Sequence, residues 1–312
     1  MKILGINISH DFSICVSENK KIKEIYFEDR FIRKKHWFIK KDEIKNLFIL
    51  SIFKKINFKP DVVVYSSFQR TLEHDVSDSE IIEKIQKQLN NPPYFFEKKN
   101  HHIYHACSAF YHSKLEEAMS IVIDGAGACP MARDYRETCS IFYLNKKNVY
   151  KLFQHITNYK SLILPKTFDL EYSNIANCFF EGGVEYIASS RIIGGNAFNI
   201  ACKKIGMEKE PGKLMGLASY GYCQEKFNLN YEHVEIAKKV QEKSFRETCE
   251  VIEKAYNYKK IKNFVLSGGY FLNCSNNFKY VKKYPNLNFF VDPNPSDGGT
   301  SVGACIYYDN YK

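Results

Sequence analysis

His101 to Gly127 reads HHIYHACSAFYHSKLEEAMSIVIDGAG. His101 and His105 lie four residues apart at the start of a run with helical spacing, so both imidazoles fall on one helix face. An apolar strand from Ser120 to Ile123 follows and ends at Asp124 and Gly125. Two imidazoles on one face can share a metal ion, and a carboxylate leaving a nearby strand adds an oxygen ligand. His102, three residues before His105, competes with His101 for the same role. Helix residues bonded to carbonyls or water would use the same letters, so the rest of the chain has to decide.

N-terminal to this stretch, Lys2 to Ile8 and Ile14 to Ser17 read as strands around the polar turn NISHDFS, and Ile22 to Phe27 completes a meander. His10 and Asp11 in that first hairpin are candidates to face a ligand. Glu28 to His36, EDRFIRKKH, reads as a helix start whose basic side chains, Lys35 among them, can hold an anion or face water. Lys41 to Phe53 has helical spacing, Asp61 to Ser66 is a buried strand, and Ser79 to Asn90 is an amphipathic helix.

On the other side, Thr138 to Leu144 and Val149 to Phe153 form a second hairpin after the Ser120 strand. The opening meander thus recurs, which predicts a duplicated plan of two lobes, residues 1–118 and 119–312. Ser161 to Gly206 has a mostly helical pattern broken by Gly182, Gly183, Gly194 and Gly195. Glu210 to Tyr222 is a turn into a short helix around the lone Lys213, and Glu232 to Tyr258 is the longest helical run. Asn263 to Ser267 is a strand ending in Gly268 and Gly269. The strand Asn288 to Val291 and the turn PNPSDGG then lead into a helix at Thr300 that would complete the second lobe.

Strand, glycines, helix is a device for bringing backbone close to a phosphate or an adenosine, since glycine removes the side chain and helix N-terminal amides point at the anion. Three segments fit it: Asp124 to Gly127 with Gly125 and Gly127, the pair Gly268 and Gly269, and Asp297 with Gly298 and Gly299. Two of them carry an aspartate that a nucleotide site can use to hold a metal. Three such turns predict a two-lobed nucleotide-binding α/β fold. Adenosine is placed against Gly268, Gly269 and Asn273, and phosphate near Gly125, Gly127 and Gly299.

Composition narrows the class. Hydrophobic residues at 45% and charged residues at 26% are ordinary for a globular chain, and a length of 312 residues suits two lobes. There is no long apolar run and no signal-peptide layout at the N-terminus, so a cytoplasmic, membrane-free protein is expected. The ten cysteines include no C-x-x-C pair, which argues for packed thiols over a disulfide framework or a cysteine zinc site. A net charge of +10 suits an anionic partner such as a nucleotide, but it is spread along the chain, and a nucleic-acid partner is not expected.

In order along the chain, LGINISHDFS, EDRFIRKKH, HHIYHACSAFYHS, VIDGAGA, GKLMGLASYG, LSGGYFLNCSNN and PSDGGTSVGA resemble the O-carbamoyltransferases of the nodulation-protein, cephalosporin and tobramycin type. The resemblance implies the actin, Hsp70 and sugar-kinase-like fold, two lobes that each carry a mixed sheet with helices on both sides. It implies carbamoyl transfer from carbamoyl adenylate, made from carbamoyl phosphate and ATP, to a small-molecule hydroxyl. It implies a metal, Fe(II) or else zinc or manganese, on His101, His105 and Asp297, with Asp124 as a further ligand. His10 is then the candidate base, with Asp11 as the alternative, and Lys35 and Lys213 join the glycines and Asn273 around the nucleotide.

The sequence departs from that family at Pro211, Gly212, Lys213 and at Ala218, Ser219, Tyr220, Gly221, where E-G-K and A-P-Y-G are usual. The segment Leu164 to Gly195 also fits it poorly, which is where acceptor recognition is expected. The adenylate-forming second domain of relatives has no counterpart here, so a separate partner or a missing domain is expected to make the donor. Two other readings share the features: a tRNA threonylcarbamoyl transferase-like enzyme, and a non-catalytic nucleotide-binding subunit.

Overall fold

The computed structural model describes residues 1–34, 39–40, 43, 47, 50–51, 58–68, 76–128, 135–158, 177–189, 194–208, 210–223 and 229–312. The helix expected over Lys41 to Phe53 lies largely outside them. The first sheet holds β1 (Lys2–Asn7), β2 (Ser13–Glu18), β3 (Lys21–Phe27), β4 (Val62–Ser66) and β5 (Tyr94–Phe96). Its order is β3-β2-β1-β4-β5, with β1, β2 and β3 antiparallel in succession and β4 and β5 parallel to β1. Between β3 and β4, α1 (Glu28–Ile32) is a single short turn of helix that stops where Arg33 takes a left-handed conformation.

The central strand β1 is buried on both faces, and its side chains alternate between two cores. Leu4 and Ile6 point outward, where Ile81, Ile82 and Ile85 of α2 (Asp78–Gln88) cover them. That helix starts at Asp78, one residue before the Ser79 expected from its spacing. Ser77 caps the Glu80 amide while the Glu80 carboxylate returns to the Ser77 amide, a closed capping box.

After α3 (His101–Ser113) the second sheet begins with β6 (Glu117–Ala128), β7 (Tyr135–Asn145) and β8 (Val149–Asn158). It continues with β9 (Asn177–Glu181) and β10 (Val184–Ser189). Three helices follow, α4 (Gly195–Lys204), α5 (Pro211–Tyr220) and α6 (Tyr231–Lys259), and then β11 (Asn263–Ser267), α7 (Cys274–Lys283), β12 (Asn288–Val291) and α8 (Thr300–Tyr311). The strand order is β12-β11-β6-β7-β8-β10-β9. Read from β8 to β12, three antiparallel strands and two parallel ones repeat the first sheet, so the recurring meander reflects a duplicated topology.

Two expectations are corrected here. The part of Ser161 to Gly206 that is described is a hairpin, β9 and β10, before it is a helix. Gly182 and Gly183, with φ of 57° and 80°, form its two-residue turn, which a helix could not accommodate. The helix at Thr300 also does not close the second lobe. It packs against β1, β2 and β4, while α3, from the first half of the chain, packs against β6, β7 and β11. The two helices lie against each other, and at Gly303 a Cβ would come 1.7 Å from the Tyr104 carbonyl oxygen, so only glycine permits the approach.

The layers are therefore α2, first sheet, the α8 and α3 pair, second sheet, then α4, α5 and α6. Ile3 and Val64 from the first sheet, Ala106 and Cys107 from α3, Val302 and Cys305 from α8, and Val122 from the second sheet share the middle core. Met119, Ile121 and Ile123 point the other way and meet Phe198, Val240 and Ile252 of the outer helices. Among the described residues no helix is long and apolar enough to cross a membrane.

Candidate functional site

The N-terminal end of α3 enters the middle layer where β6 and the turn before α8 converge. His101 and His105 are wholly buried there, and Asp124 and Asp297 nearly so. One ligand atom from each of the four lies within 4.8 Å of the others. His101 Nε2 is 3.5 Å from Asp124 Oδ2 and 3.6 Å from Asp297 Oδ1, and His105 Nε2 is 3.5 Å from the same Asp297 oxygen. These separations are long for hydrogen bonds. They match the roughly 3.4 Å between neighbouring ligands that sit about 2.1 Å from a common tetrahedral ion. Consistent with that, both histidine Nε2 atoms and Asp297 Oδ1 are buried without a hydrogen-bond partner.

The other oxygen of each carboxylate is tied to protein. The Gly269 amide donates to Asp124 Oδ1 at 3.1 Å, and the Ser9 hydroxyl donates to Asp297 Oδ2 at 2.7 Å. Outer partners of this kind fix which oxygen a carboxylate turns inward. The charges tell the same story. Burial alone would strip the His101 proton, yet the carboxylates of Asp297 and Asp124 outweigh it and lift the imidazole to about 10. Burial pushes both carboxyls up, and the surrounding imidazoles pull each well below the usual carboxylate range. The pocket demands positive charge between its two carboxylates, and two imidazoles and two carboxylates are a donor set suited to iron, zinc or manganese.

His10 and Asp11 reach the same place from the first hairpin. His10 Nε2 is 3.3 Å from Asp297 Oδ2, and its Nδ1 is 3.0 Å from Asp11 Oδ2. Burial lowers the His10 imidazole, but Asp297 and Asp11 more than reverse this and raise it to about 9. Asn7 shapes the hairpin by donating to the carbonyls of His10 and Asp11, the latter in a left-handed conformation with φ of 57°.

His102 faces elsewhere. Its Nδ1 is 2.9 Å from Ser140 Oγ and 3.5 Å from Glu137 Oε1, both on β7, so of the two it is His101 whose ring stands in the cluster. Burial, the leading influence, lowers the His102 imidazole to about 4 despite the Glu137 charge.

The expected glycine turn at Asp124 is corrected in kind. β6 does not end there. Its ladder with β7 breaks after Ile123 and resumes with Gly127 opposite Glu137, so Asp124, Gly125 and Ala126 form a bulge that turns the carboxylate into the cluster. Gly268 and Gly269 do end β11 and lead through a 3₁₀ turn to α7. Gly268 has φ of 97°, and a Cβ there would lie 2.2 Å from the Ile123 carbonyl oxygen, so the sheet can bring this loop beside Asp124 only with glycine. Asp297, Gly298 and Gly299 form a 3₁₀ turn into α8, with Ser13 donating to the Gly298 carbonyl at 2.7 Å.

Asn273 caps α7 by accepting from the Asn276 amide, and it exchanges bonds with the Gln241 side chain of α6. Lys213 is exposed on α5 and pairs with Glu210 at 3.2 Å. Lys35 lies outside the described residues. Two contributors had little signal in the sequence. Ser9 sat unmarked inside NISHDFS. Asn196, at the start of α4, donates from its side chain to the Gly125 carbonyl and closes the bulge from outside.

Two sheets of duplicated topology, with a buried, charged cluster between them, place the chain in the actin, Hsp70 and sugar-kinase fold class. No protein-family model matches the chain, and no curated protein matches it by sequence. Solved structures match at the level of fold. HypF from T. kodakarensis aligns with a TM-score of 0.63 at 15% identity, covering 99% of this chain and 47% of that one. Full-length HypF in its phosphate- and nucleotide-bound form gives 0.57 at 16%, covering 99% and 55%. The ROK hexokinase from Thermus thermophilus gives 0.54 at 10%, covering 99% and 98%. The chain thus spans about half the length of the two HypF structures.

Proposed function

We propose that this chain moves a carbamoyl group from carbamoyl adenylate, itself derived from carbamoyl phosphate and ATP, to a hydroxyl of a small-molecule acceptor such as a sugar or nucleoside. The observation that carries the reading is the cluster of His101, His105, Asp124 and Asp297 on ligand-like spacings. Its four members stand at the matching positions of the O-carbamoyltransferase motifs. The nucleotide-bound state of full-length HypF supports a nucleotide in this fold.

His101, His105, Asp124 and Asp297 would hold Fe(II), or zinc or manganese on the same donors. When bound, such a cation supplies Lewis-acid polarisation and charge neutralisation. The rest falls to the chain. The Gly268 to Gly269 loop, the Asp124 bulge and the turn before α8 are the glycine-bearing backbone against which the adenylate would lie. In the transfer, the acceptor oxygen bonds to the carbamoyl carbon as the bond from that carbon to the phosphate oxygen breaks and AMP leaves. The hydroxyl proton goes to the Asp11 carboxylate, since the His10 imidazole beside it already holds its proton against Asp297.

The test supplies the purified chain, loaded in turn with iron, zinc and manganese, with preformed carbamoyl adenylate and a panel of sugars and nucleosides. Carbamoylated product is read by mass spectrometry. Transfer to at least one hydroxyl that disappears in Asp297→Asn is the expected result. Threonylcarbamoyl transfer to tRNA in its place, or nucleotide binding with no transfer to any acceptor, would overturn the proposal.

A further inference from the structure

His112 and Asp292 lie outside the metal cluster, yet they join the far ends of two elements that build it. His105 and His112 are seven residues apart on α3, two turns and about 10 Å along one helix face. Asp292 and Asp297 are five apart on the segment that leads from β12 to α8. The near ends meet in the cluster, where Asp297 Oδ1 is 3.5 Å from His105 Nε2. The far ends meet directly, with His112 Nδ1 3.1 Å from Asp292 Oδ1. A carboxylate can only accept, so the ring supplies the hydrogen.

The segment between these two contacts is stiff. Two of the four residues between Asp292 and Asp297 are Pro293 and Pro295, whose rings fix φ. The Asn294 amide donates to Asp292 Oδ1 at 3.0 Å, and the Asn294 carbonyl oxygen lies where a Cβ on Gly299 would come within 2.1 Å. The remaining ties lead to the sheets. The Asp292 amide donates to the Leu266 carbonyl and the Pro295 carbonyl accepts from the Gly268 amide, both at the end of β11, while Ser9 and Ser13 reach Asp297 and Gly298 from the first sheet. His112 ties the segment to α3, the helix that carries the imidazoles. The Asp292 side chain is wholly buried and its second oxygen has no partner, so the charge depends on His112 and one backbone amide.

We propose that His112 and Asp292 are positioning residues of the metal site, their bond clamping the Asp292 to Asp297 segment onto α3 so that Asp297 Oδ1 faces His101 and His105 before an ion arrives. This rests on the metal reading given above and is independent of which group is transferred. Without His112, the buried carboxylate keeps one neutral donor and gains by turning toward water, and a stiff segment carries that displacement to Asp297. The ion then finds a smaller fraction of chains with the ligands in place, and the apparent affinity falls by that fraction.

The test is zinc binding by the purified full chain, measured by competition with a chromogenic chelator with no donor or nucleotide present. His112→Phe fills the space of the ring without the bond and keeps all four ligands. It is expected to weaken zinc by about 5- to 20-fold, at or below the range for partners that touch a metal ligand directly. His112→Asn returns an N–H donor near the Nδ1 position and is expected to recover most of that affinity. A packing role predicts the opposite order, because Asn fills less of the space than Phe, and a role confined to stability lowers the melting midpoint of the metal-free chain with zinc affinity unmoved.

Asp292→Asn keeps an oxygen for the Asn294 amide but removes the charge, and its affinity is expected between those of the parent and His112→Phe. That variant decides the matter should His112→Phe not fold. Zinc affinity unchanged in His112→Phe, or in Asp292→Asn where the former does not fold, overturns the proposal, as does a loss that His112→Asn fails to relieve. A parent chain that binds no zinc refutes the metal reading and the clamp with it. A parent that binds zinc and transfers nothing refutes the proposed transfer alone, and the variant affinities still decide the clamp.

Discussion

Removing the Ser9 hydroxyl should weaken metal binding although Ser9 touches no metal. Its Oγ is 2.7 Å from Asp297 Oδ2, and that bond turns Oδ1 toward His101 and His105. Hydrogen bonds to a charged group contribute about 1.5–3 kcal/mol, and outer partners of metal ligands typically govern about 10- to 100-fold in affinity. The lower part of that range applies here for two structural reasons. Asp297 Oδ2 keeps His10 Nε2 at 3.3 Å, and Asn7 Oδ1, which also faces the lost hydroxyl, keeps the Ser9 amide at 3.1 Å. Ser9→Ala is therefore expected to weaken zinc binding by about 10- to 30-fold, measured by competition with a chromogenic chelator. Ser13→Ala is the control. Its hydroxyl bonds the Gly298 carbonyl at 2.7 Å in the same turn without touching a ligand. It should cost about 1 kcal/mol in stability and leave metal affinity within about threefold. Unchanged affinity in Ser9→Ala, or an equal loss in Ser13→Ala, would refute the argument that one specific bond orients Asp297.

Other consequences follow from the same geometry. His105→Ala should lose metal by about 10²- to 10³-fold, one quarter of a four-ligand site, and elemental analysis after dialysis would show near-full retention if the site is wrong. Gly268→Ala forces a Cβ to 2.2 Å from the Ile123 carbonyl oxygen at a φ of 97°, so calorimetric ATP binding should disappear even where the chain still folds. Gly303→Val drives a side chain into the Tyr104 carbonyl and should destabilise by about 3 kcal/mol or more, read as a melting midpoint several degrees lower. A melt matching the parent would show that the α3 and α8 contact is looser than described.

The repeated strand pattern and the His101 to Asp124 spacing were legible because both are local. Alternation marks a strand and a four-residue interval marks a helix face, wherever the chain then goes. What a local pattern cannot carry is which element meets which. The α8 helix has an almost uniformly apolar character in Val302, Ala304, Cys305 and Ile306, so nothing in its sequence chose the first sheet over the second. The choice rests on Gly5 of β1, where a Cβ would lie 2.1 Å from the Ser301 carbonyl oxygen of α8. The β6 bulge was hidden for a related reason: its cause is the pairing of Gly127 with Glu137, a partner that strand-by-strand reading does not see. The hairpin at Gly182 and Gly183 was the plainer loss, since paired glycines between short apolar runs signal a turn as well as a break in a helix.

The crossing of the two central helices has a further consequence for the site. Asp297 stands at the entry to α8, which rests on the first sheet, and Asp124 belongs to the second sheet, while Ser9 and His10 reach across from the first. The imidazoles come from α3, which packs on the second sheet and against α8. A cation held by these ligands therefore joins the two sheets through side chains as well as through the packed helices. Anything that binds the assembled cluster but not the opened one stabilises the closed relation of the lobes, by about 2.7 kcal/mol when present at a hundred times its dissociation constant. A nucleotide on the Gly268 loop, as proposed above, would draw on the same arrangement, because the Gly269 amide already holds Asp124 Oδ1. On the proposed function, metal and nucleotide would share Asp124 as a common element, and the affinity of each would be set partly by what the other had already fixed.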